Sequence, residues 1–294
     1  MIVVTGAAGK TGRAVIAALA ASGQPVWALV HRPEQEGPVR SLGAHEAVSG
    51  DMRDPAALDR AMNGARAVYH ICPNMHPDEL AIGETAIAAA RKAGVQHFVY
   101  HSVLHPQVEA MPHHWLKMRV EEQLFASRLD YTILQPAPYM QNVLGYRESI
   151  VQEGRYPVPY AVDTRLGMVD LEDVAHVAAE VLTEPGHKGA TYELSGPETL
   201  SQVEVANLMG QQLGRAVQAQ AVPLAAWRAQ AQAAGLGAYQ VETLVQMFEY
   251  YERHGFWGNP NVLACLLGRQ PTGFVDFLAR VLPEWLHPRR NGTG

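Results

Sequence analysis

The sequence predicts an α/β chain: a parallel sheet wound on both faces by helices, followed by a smaller, mostly helical region. Three observations carry this. Strand and helix patterns alternate from the first residues to Pro136. The strands are continuous apolar runs without polar alternation, as in a sheet buried on both faces. A glycine-rich turn joins the first strand to the first helix. Repeated strand–helix–strand units need right-handed crossovers, which give parallel pairing with helices on both sides.

The elements follow in order. Residues 2–5 form a short apolar strand and 13–21 a helix. Residues 25–30 form a second strand and 46–49 a weaker third. Asp54-Pro55 opens the next helix, with Asp as N-cap and Pro at the first helical position. A fourth strand covers 67–71, and an alanine-rich helix over 78–93 stops at Gly94, a usual residue after a helix end. Residues 98–103 form a fifth strand. The segment 113–127 is helical, with Leu116, Val120 and Leu124 at core spacing. A sixth strand, 131–134, ends at Gln135-Pro136.

The pattern then changes. Residues 141–167 read as a helix and a Pro/Tyr-rich loop, Tyr156-Pro157-Val158-Pro159-Tyr160. A strong amphipathic helix covers 170–182 and a short strand 191–194. From Ser201 onward the chain reads as mostly helical, with no further strand–helix alternation. Residues 1–140 plus 168–195 are therefore expected to form the sheet domain. Residues 141–167 plus 196–294 are expected to form a smaller substrate-binding region over its C-terminal edge. The tail after Pro288 is polar and expected to fray.

Bulk properties narrow the function classes. There are 23 basic and 29 acidic residues, a net charge of −6. That argues against a nucleic-acid or anionic-membrane surface, since both need a basic excess. Two cysteines, Cys72 and Cys265, make no disulfide framework, and a reducing, cytoplasmic setting is expected. The N-terminus reads as a strand rather than a signal peptide, and no window has the apolar length of a membrane span. Oligomeric state is not legible.

Thr5-Gly6-Ala7-Ala8-Gly9-Lys10-Thr11-Gly12-Arg13 is G-x-x-G-x-x-G between the first strand and the first helix. The glycines let the backbone turn tightly and let a pyrophosphate approach. The helix N-terminus offers unpaired N–H groups to its oxygens. This strand–turn–helix context marks a Rossmann-type doubly wound sheet that binds a dinucleotide. Arg32 ends the second strand, where NAD sites usually carry an acid and NADP sites an arginine for the 2′-phosphate. NADPH/NADP is the expected cofactor, with NAD still possible. Gly50-Asp51-Met52 follows the third strand, where Asp51 either receives the adenine amine or only caps the strand.

With these residues the chain resembles the NmrA-like group of atypical short-chain dehydrogenases/reductases over nearly its whole length. The resemblance rests on the glycine loop, Gly50-Asp51-Met52, Lys117-Met118-Arg119-Val120-Glu121 and the run from Leu129 to Pro136. Tyr139-Met140-Gln141-Asn142 and the run from Met168 to Ala175 complete it. It implies an NAD(P)-binding fold with a substrate cleft beside the nicotinamide. The implied cofactor contacts are Gly6, Ala8, Gly9, Lys10, Thr11, Gly12, Arg32, Asp51, Met52, Cys72, Pro73, Lys117, Pro136 and Tyr139. Relatives include NADPH-dependent reductases of quinones, dyes and plant phenolics, and NADP-sensing regulators without known turnover.

Ordinary members of the wider group use Tyr-x-x-x-Lys on a helix and a Ser from the preceding strand. Lys117 is present here, one turn after His113 rather than a Tyr. Ser102 is the Ser equivalent. Lys117, His113 and Ser102 are therefore the expected catalytic set, with His113 a proton donor near neutral pH, given the usual histidine pKa of about 6.5. Tyr139 and Tyr160 are further candidates for the cleft or for packing. His97, His101 and His105 are four apart. On a strand that spacing separates neighbours by about 13 Å, too far for one ion, and no metal is expected.

The expected function is NADPH-dependent hydride transfer to a small organic acceptor such as a quinone, enone or carbonyl. The alternatives are a non-catalytic NADP(H)-sensing regulator that binds a protein partner, and redox-neutral isomerisation with a tightly held cofactor.

Overall fold

The structure is a computed structural model and describes residues 1–286. In chain order its elements are β1 (Ile2–Val4), α1 (Lys10–Ala21), β2 (Val26–Val30), α2 (Glu36–Arg40), β3 (Glu46–Ser49), α3 (Pro55–Met62), β4 (Ala67–His70), α4 (Glu79–Lys92), β5 (His97–His101), α5 (Pro112–Ala126) and β6 (Tyr131–Pro136). There follow β7 (Arg155–Val158), β8 (Arg165–Gly167), α6 (Leu171–Thr183), β9 (Ala190–Leu194), β10 (Thr199–Ser201), α7 (Gln202–Leu213), β11 (Gln218–Ala221), α8 (Leu224–Ala233), α9 (Ala238–His254), α10 (Asn261–Leu267) and α11 (Phe274–Leu286).

Seven strands form one sheet in the order β3-β2-β1-β4-β5-β6-β9. Every pairing in it is parallel. The order reverses between β1 and β4, the switch point at which such sheets bind ligands beyond their carboxyl ends. Alternate strand residues feed opposite faces. Ile2, Val4 and Val99 join α1 and α6 in one core, through Val15, Ile16, Val174 and Val177. Val3, Val68 and Phe98 join α3, α4 and α5 in the other, through Leu58, Ile87 and Val120. The first core continues into the C-terminal helices, with Phe274 and Phe277 fully buried.

Local signals form as read. Asp54 accepts from the Ala56 N–H at 2.9 Å and caps α3, with Pro55 following it. Gly94 follows α4 with φ +67°. Asp170 caps α6 through Glu172 N and is also held by Gln141 and Arg280.

Two expectations are corrected. Part of the Pro/Tyr-rich stretch is a strand, β7, which pairs in parallel with β11. The region after Ser201 is mostly helical, as expected, with the short strand β11 between α7 and α8. Gln218-Ala219-Gln220-Ala221 has no β-branched residue, and it is extended because β7 supplies a partner. The segment expected to be helical after 141 is a 3₁₀ stretch, Met140–Tyr146, and one π turn, Ser149–Glu153. The polar tail after Pro288 lies outside the described residues.

Candidate active site

The loops after β1, β2, β3, β4, β5 and β6 all open onto one cavity of about 940 Å³ at the carboxyl edge of the sheet. The C-terminal region closes its far side. Of the residues expected from sequence, Gly6, Ala8, Gly9, Lys10, Thr11, Gly12, Asp51, Met52, Cys72, Pro73, Ser102, His113, Lys117, Pro136 and Tyr139 all line it. Arg32 does not line it. Its side chain is 62% exposed and paired with Glu34 at 3.1 Å.

The glycine loop fits a pyrophosphate on structural grounds. Gly6 has φ +57°, and a Cβ there would lie 2.7 Å from the Ile71 carbonyl oxygen. At Gly12 a Cβ would lie 2.5 Å from the Gly6 carbonyl oxygen. Both contacts are with backbone, so only glycine lets β1 and α1 come this close. No side chain caps α1 and no acid stands in its first turn. The first-turn N–H groups lack intrahelical acceptors. An uncapped, acid-free helix start on a cavity wall suits an anion. Lys10 beside it donates to Asn142 Oδ1 at 3.1 Å and so ties the loop to the 3₁₀ stretch.

Lys117 is held from behind. Its Nζ donates to Glu79 Oε1 at 2.9 Å and to the His101 carbonyl at 3.3 Å. Glu79 is buried and also accepts from the Tyr100 hydroxyl at 2.9 Å. An ammonium has three donors, and two are engaged, leaving one for the cavity. Cys72 lies near the same carboxylate, and burial foremost pushes its thiol well up, so it stays protonated.

His113 sits one turn before Lys117 on α5, lines the cavity and is only 8% exposed. Its Nδ1 is buried without a hydrogen-bond partner. Burial, with His114 and Lys117 nearby, pushes its pKa down to about 2. The expectation of an imidazole that titrates near neutrality is therefore corrected: His113 is neutral at physiological pH. His114 packs edge-on against it at 4.4 Å and donates Nδ1–H to the His105 carbonyl at 3.2 Å. Because a carbonyl only accepts, that bond fixes the His114 tautomer.

Ser102 is committed elsewhere. Its hydroxyl donates to Glu121, whose two oxygens also accept from Gln135 Nε2 at 2.9 and 3.0 Å. His101 joins two tyrosines, with Tyr69 at Nδ1 (2.7 Å) and Tyr139 at Nε2 (2.8 Å). Thr11 in turn donates to the Tyr139 hydroxyl at 3.2 Å. This chain of bonds fixes Tyr139 between the cofactor loop and β5. His97 has its own partner, Thr132 at 2.8 Å, far from His101's set.

Of the far wall, only Tyr160 is among the residues expected from the sequence. Tyr160 lies 5.8 Å from Phe248 and 6.4 Å from Tyr251 between ring centroids, and Tyr146 lies 5.6 Å from Tyr156. Leu244, Met247, Phe248 and Tyr251 of α9 face the same space. Their spacing, i, i+3, i+4 and i+7, is a readable helix face. Nothing local says that the face meets a cavity rather than core. The tyrosines bring hydroxyls but no ionised group to this end, since burial holds Tyr146, Tyr156, Tyr160 and Tyr251 above the usual phenol range. Arg53, beside Asp51, is a further lining residue that the sequence did not single out.

Comparisons with known proteins agree with this geometry. The chain is 32% identical to the NAD(P)H azoreductase of Xenophilus azovorans over 226 residues, 76% of this chain and 78% of that protein. It is 38% identical over 218 residues to the (4-alkanoyl-5-oxo-2,5-dihydrofuran-3-yl)methyl phosphate reductase of Streptomyces griseus, covering 73% of this chain and 74% of that protein. The crystal structure of NADPH-dependent quinone oxidoreductase from Escherichia coli, complexed with NADPH, matches with a TM-score of 0.83 and 26% identity over 96% of this chain and all of that one. The model of the NmrA-like family matches residues 1–274, and the chain belongs to that family.

Proposed function

We propose that the chain is an NADPH-dependent oxidoreductase whose cavity holds the cofactor along the sheet edge and a flat, apolar acceptor against the aromatic wall. One observation carries this reading: the uncapped start of α1, the Lys117 ammonium, the neutral His113 and the aromatic wall of Tyr146, Tyr156, Tyr160, Phe248 and Tyr251 share a single cavity. Bound NADPH supplies a hydride from its nicotinamide ring.

The chain's own residues do the rest. The first turn of α1 and Lys10 hold the pyrophosphate. Lys117, fixed by Glu79 and the His101 carbonyl, offers its remaining N–H to a ribose hydroxyl. Tyr139 is braced by Thr11 and His101 and keeps the loop and β6 in register around the cofactor. His113 donates a hydrogen bond from a neutral imidazole to the acceptor atom that gains charge, as an electrophile rather than as an imidazolium acid. The proton itself comes from water. Ser102 directs its hydroxyl proton to Glu121 and is not the donor. The apolar walls favour uncharged acceptors.

The test is a panel of quinones, enones, azo dyes and aldehydes assayed for NADPH oxidation. The reading expects turnover with planar, uncharged acceptors and little with anionic ones. Tight NADPH binding with no oxidation by any of them would overturn it.

A further inference from the structure

The adenosine end of the cavity is walled by His31 and Gln35 after β2 and by Asp51, Met52 and Arg53 after β3. The arginine that the sequence pattern singles out, Arg32, is absent from that wall and pairs with Glu34 in solvent. The turn after β2 is set by Gln35. Its Oε1 accepts from the backbone N–H groups of His31 (3.1 Å) and Arg32 (3.0 Å), which leaves the Gln35 amide N–H groups as donors at the wall.

Arg53 is 57% exposed, much like Arg32, but it lines the cavity and is held by several bonds. Its backbone N–H bonds Asp51 Oδ1 at 2.9 Å, its Nε bonds both carboxylate oxygens at 3.1 Å, and its Nη2 bonds Oδ2 at 2.7 Å. The guanidinium is thus anchored at the cavity wall with its fork orientation set. Two of its five side-chain N–H groups are engaged and three remain. Asp51 stays ionised, held down to about 2 by Arg53's hydrogen bonds. Alone it would repel a phosphate; with Arg53 the pair is neutral and keeps free donors. A preset guanidinium fork matches the oxygens of a phosphate monoester, the one such group that distinguishes NADPH from NADH.

Building on the NADPH reading above, we propose that Arg53, positioned by Asp51 and flanked by Gln35, selects the 2′-phosphorylated cofactor, and that Arg32 does not.

Calorimetric titration of the full chain tests this with NADPH, NADH and two probes that lack nicotinamide, 2′,5′-ADP and 5′-AMP. Wild type binds NADPH and 2′,5′-ADP more tightly than their unphosphorylated counterparts. Arg53→Ala weakens NADPH and 2′,5′-ADP by about 10- to 100-fold and leaves NADH and 5′-AMP within about threefold. Arg53→Lys restores part of the loss, since a lysine keeps the charge without the fork. Arg32→Ala keeps the NADPH-to-NADH ratio. A merely structural role for Arg53 would weaken all four ligands together, and that outcome overturns the proposal. So does a ratio that collapses in Arg32→Ala and survives in Arg53→Ala, or a wild type without preference. A wild type that binds neither dinucleotide overturns the cofactor reading itself, a different and recognisable result.

Discussion

Lowering the pH from 7.5 to 5.5 should cost this protein a large part of its stability, because four imidazoles in and behind the cavity wall are buried in the neutral form. Burial lowers His70 and His114 to about 4, His101 to about 3 and His113 to about 2. Each is less than 9% exposed. In the unfolded chain they return to about 6.5. Between the folded and unfolded values the unfolded state binds more protons, so their contribution is present above about pH 6.5 and is lost as pH falls. By pH 5.5 each has given up a little over 1 kcal/mol, about 5 kcal/mol together. His97, lowered to about 4 by burial, adds in the same direction. Glu121, raised by burial, works in the opposite sense but is a single group. Against a total stability of roughly 5–15 kcal/mol the loss is large. Urea unfolding followed by circular dichroism at pH 7.5, 6.5 and 5.5 measures it. The expected curve steepens below pH 6.5 toward about 5 kcal/mol per pH unit, the slope of four protons taken up on unfolding. A stability that changes by less than about 1 kcal/mol over this range would show that these histidines are not neutral inside the fold.

Other outcomes follow from the site. His113→Phe should lower kcat by on the order of 10²-fold while leaving the NADPH dissociation constant nearly unchanged. Wild-type kcat should be flat between about pH 6 and 8, and a limb near 6.5 that vanishes in this variant would refute a neutral His113. Lys117→Ala leaves the Glu79 carboxylate buried without its cation, so the melting temperature should fall with a loss of about 3–5 kcal/mol, and an unchanged melt contradicts the pairing. Gly12→Ala drives a Cβ against the Gly6 carbonyl, and NADPH fluorescence titration should show affinity down more than about tenfold. Phe248→Ala opens the aromatic wall and should raise the acceptor KM about tenfold with the cofactor affinity kept; equal loss for both would place Phe248 outside the acceptor end.

What the sequence disclosed was what short-range chemistry dictates. The Asp54-Pro55 helix start, the stop at Gly94 and the glycine loop are each written within a few residues, and each forms as read. The parallel pairing of the sheet follows from repeated crossovers. Within the site, Lys117 and His113 were legible because a helix fixes their spacing, but their state was not. The neutrality of His113 depends on burial among residues distant in sequence. The anchoring of Lys117 depends on Glu79, on the neighbouring helix α4. Arg32 stands off the cavity wall because the turn set by Gln35 and the pairing with Glu34 decide where a strand-end arginine lies. The pairing of β7 with β11 and the cavity face of α9 depend on tertiary partners, and no local pattern states them.

On the proposed function, bound NADPH gives up its hydride inside this cavity. Single-turnover oxidation of the protein–NADPH complex, with the transferred hydrogen of the nicotinamide replaced by deuterium, tests it most directly. With the best acceptor of the panel, the bound cofactor should be oxidised stoichiometrically, at a severalfold slower rate for the deuterated form. Cofactor that stays bound and reduced with every acceptor would contradict it and favour a sensor of the cofactor over an enzyme that consumes it.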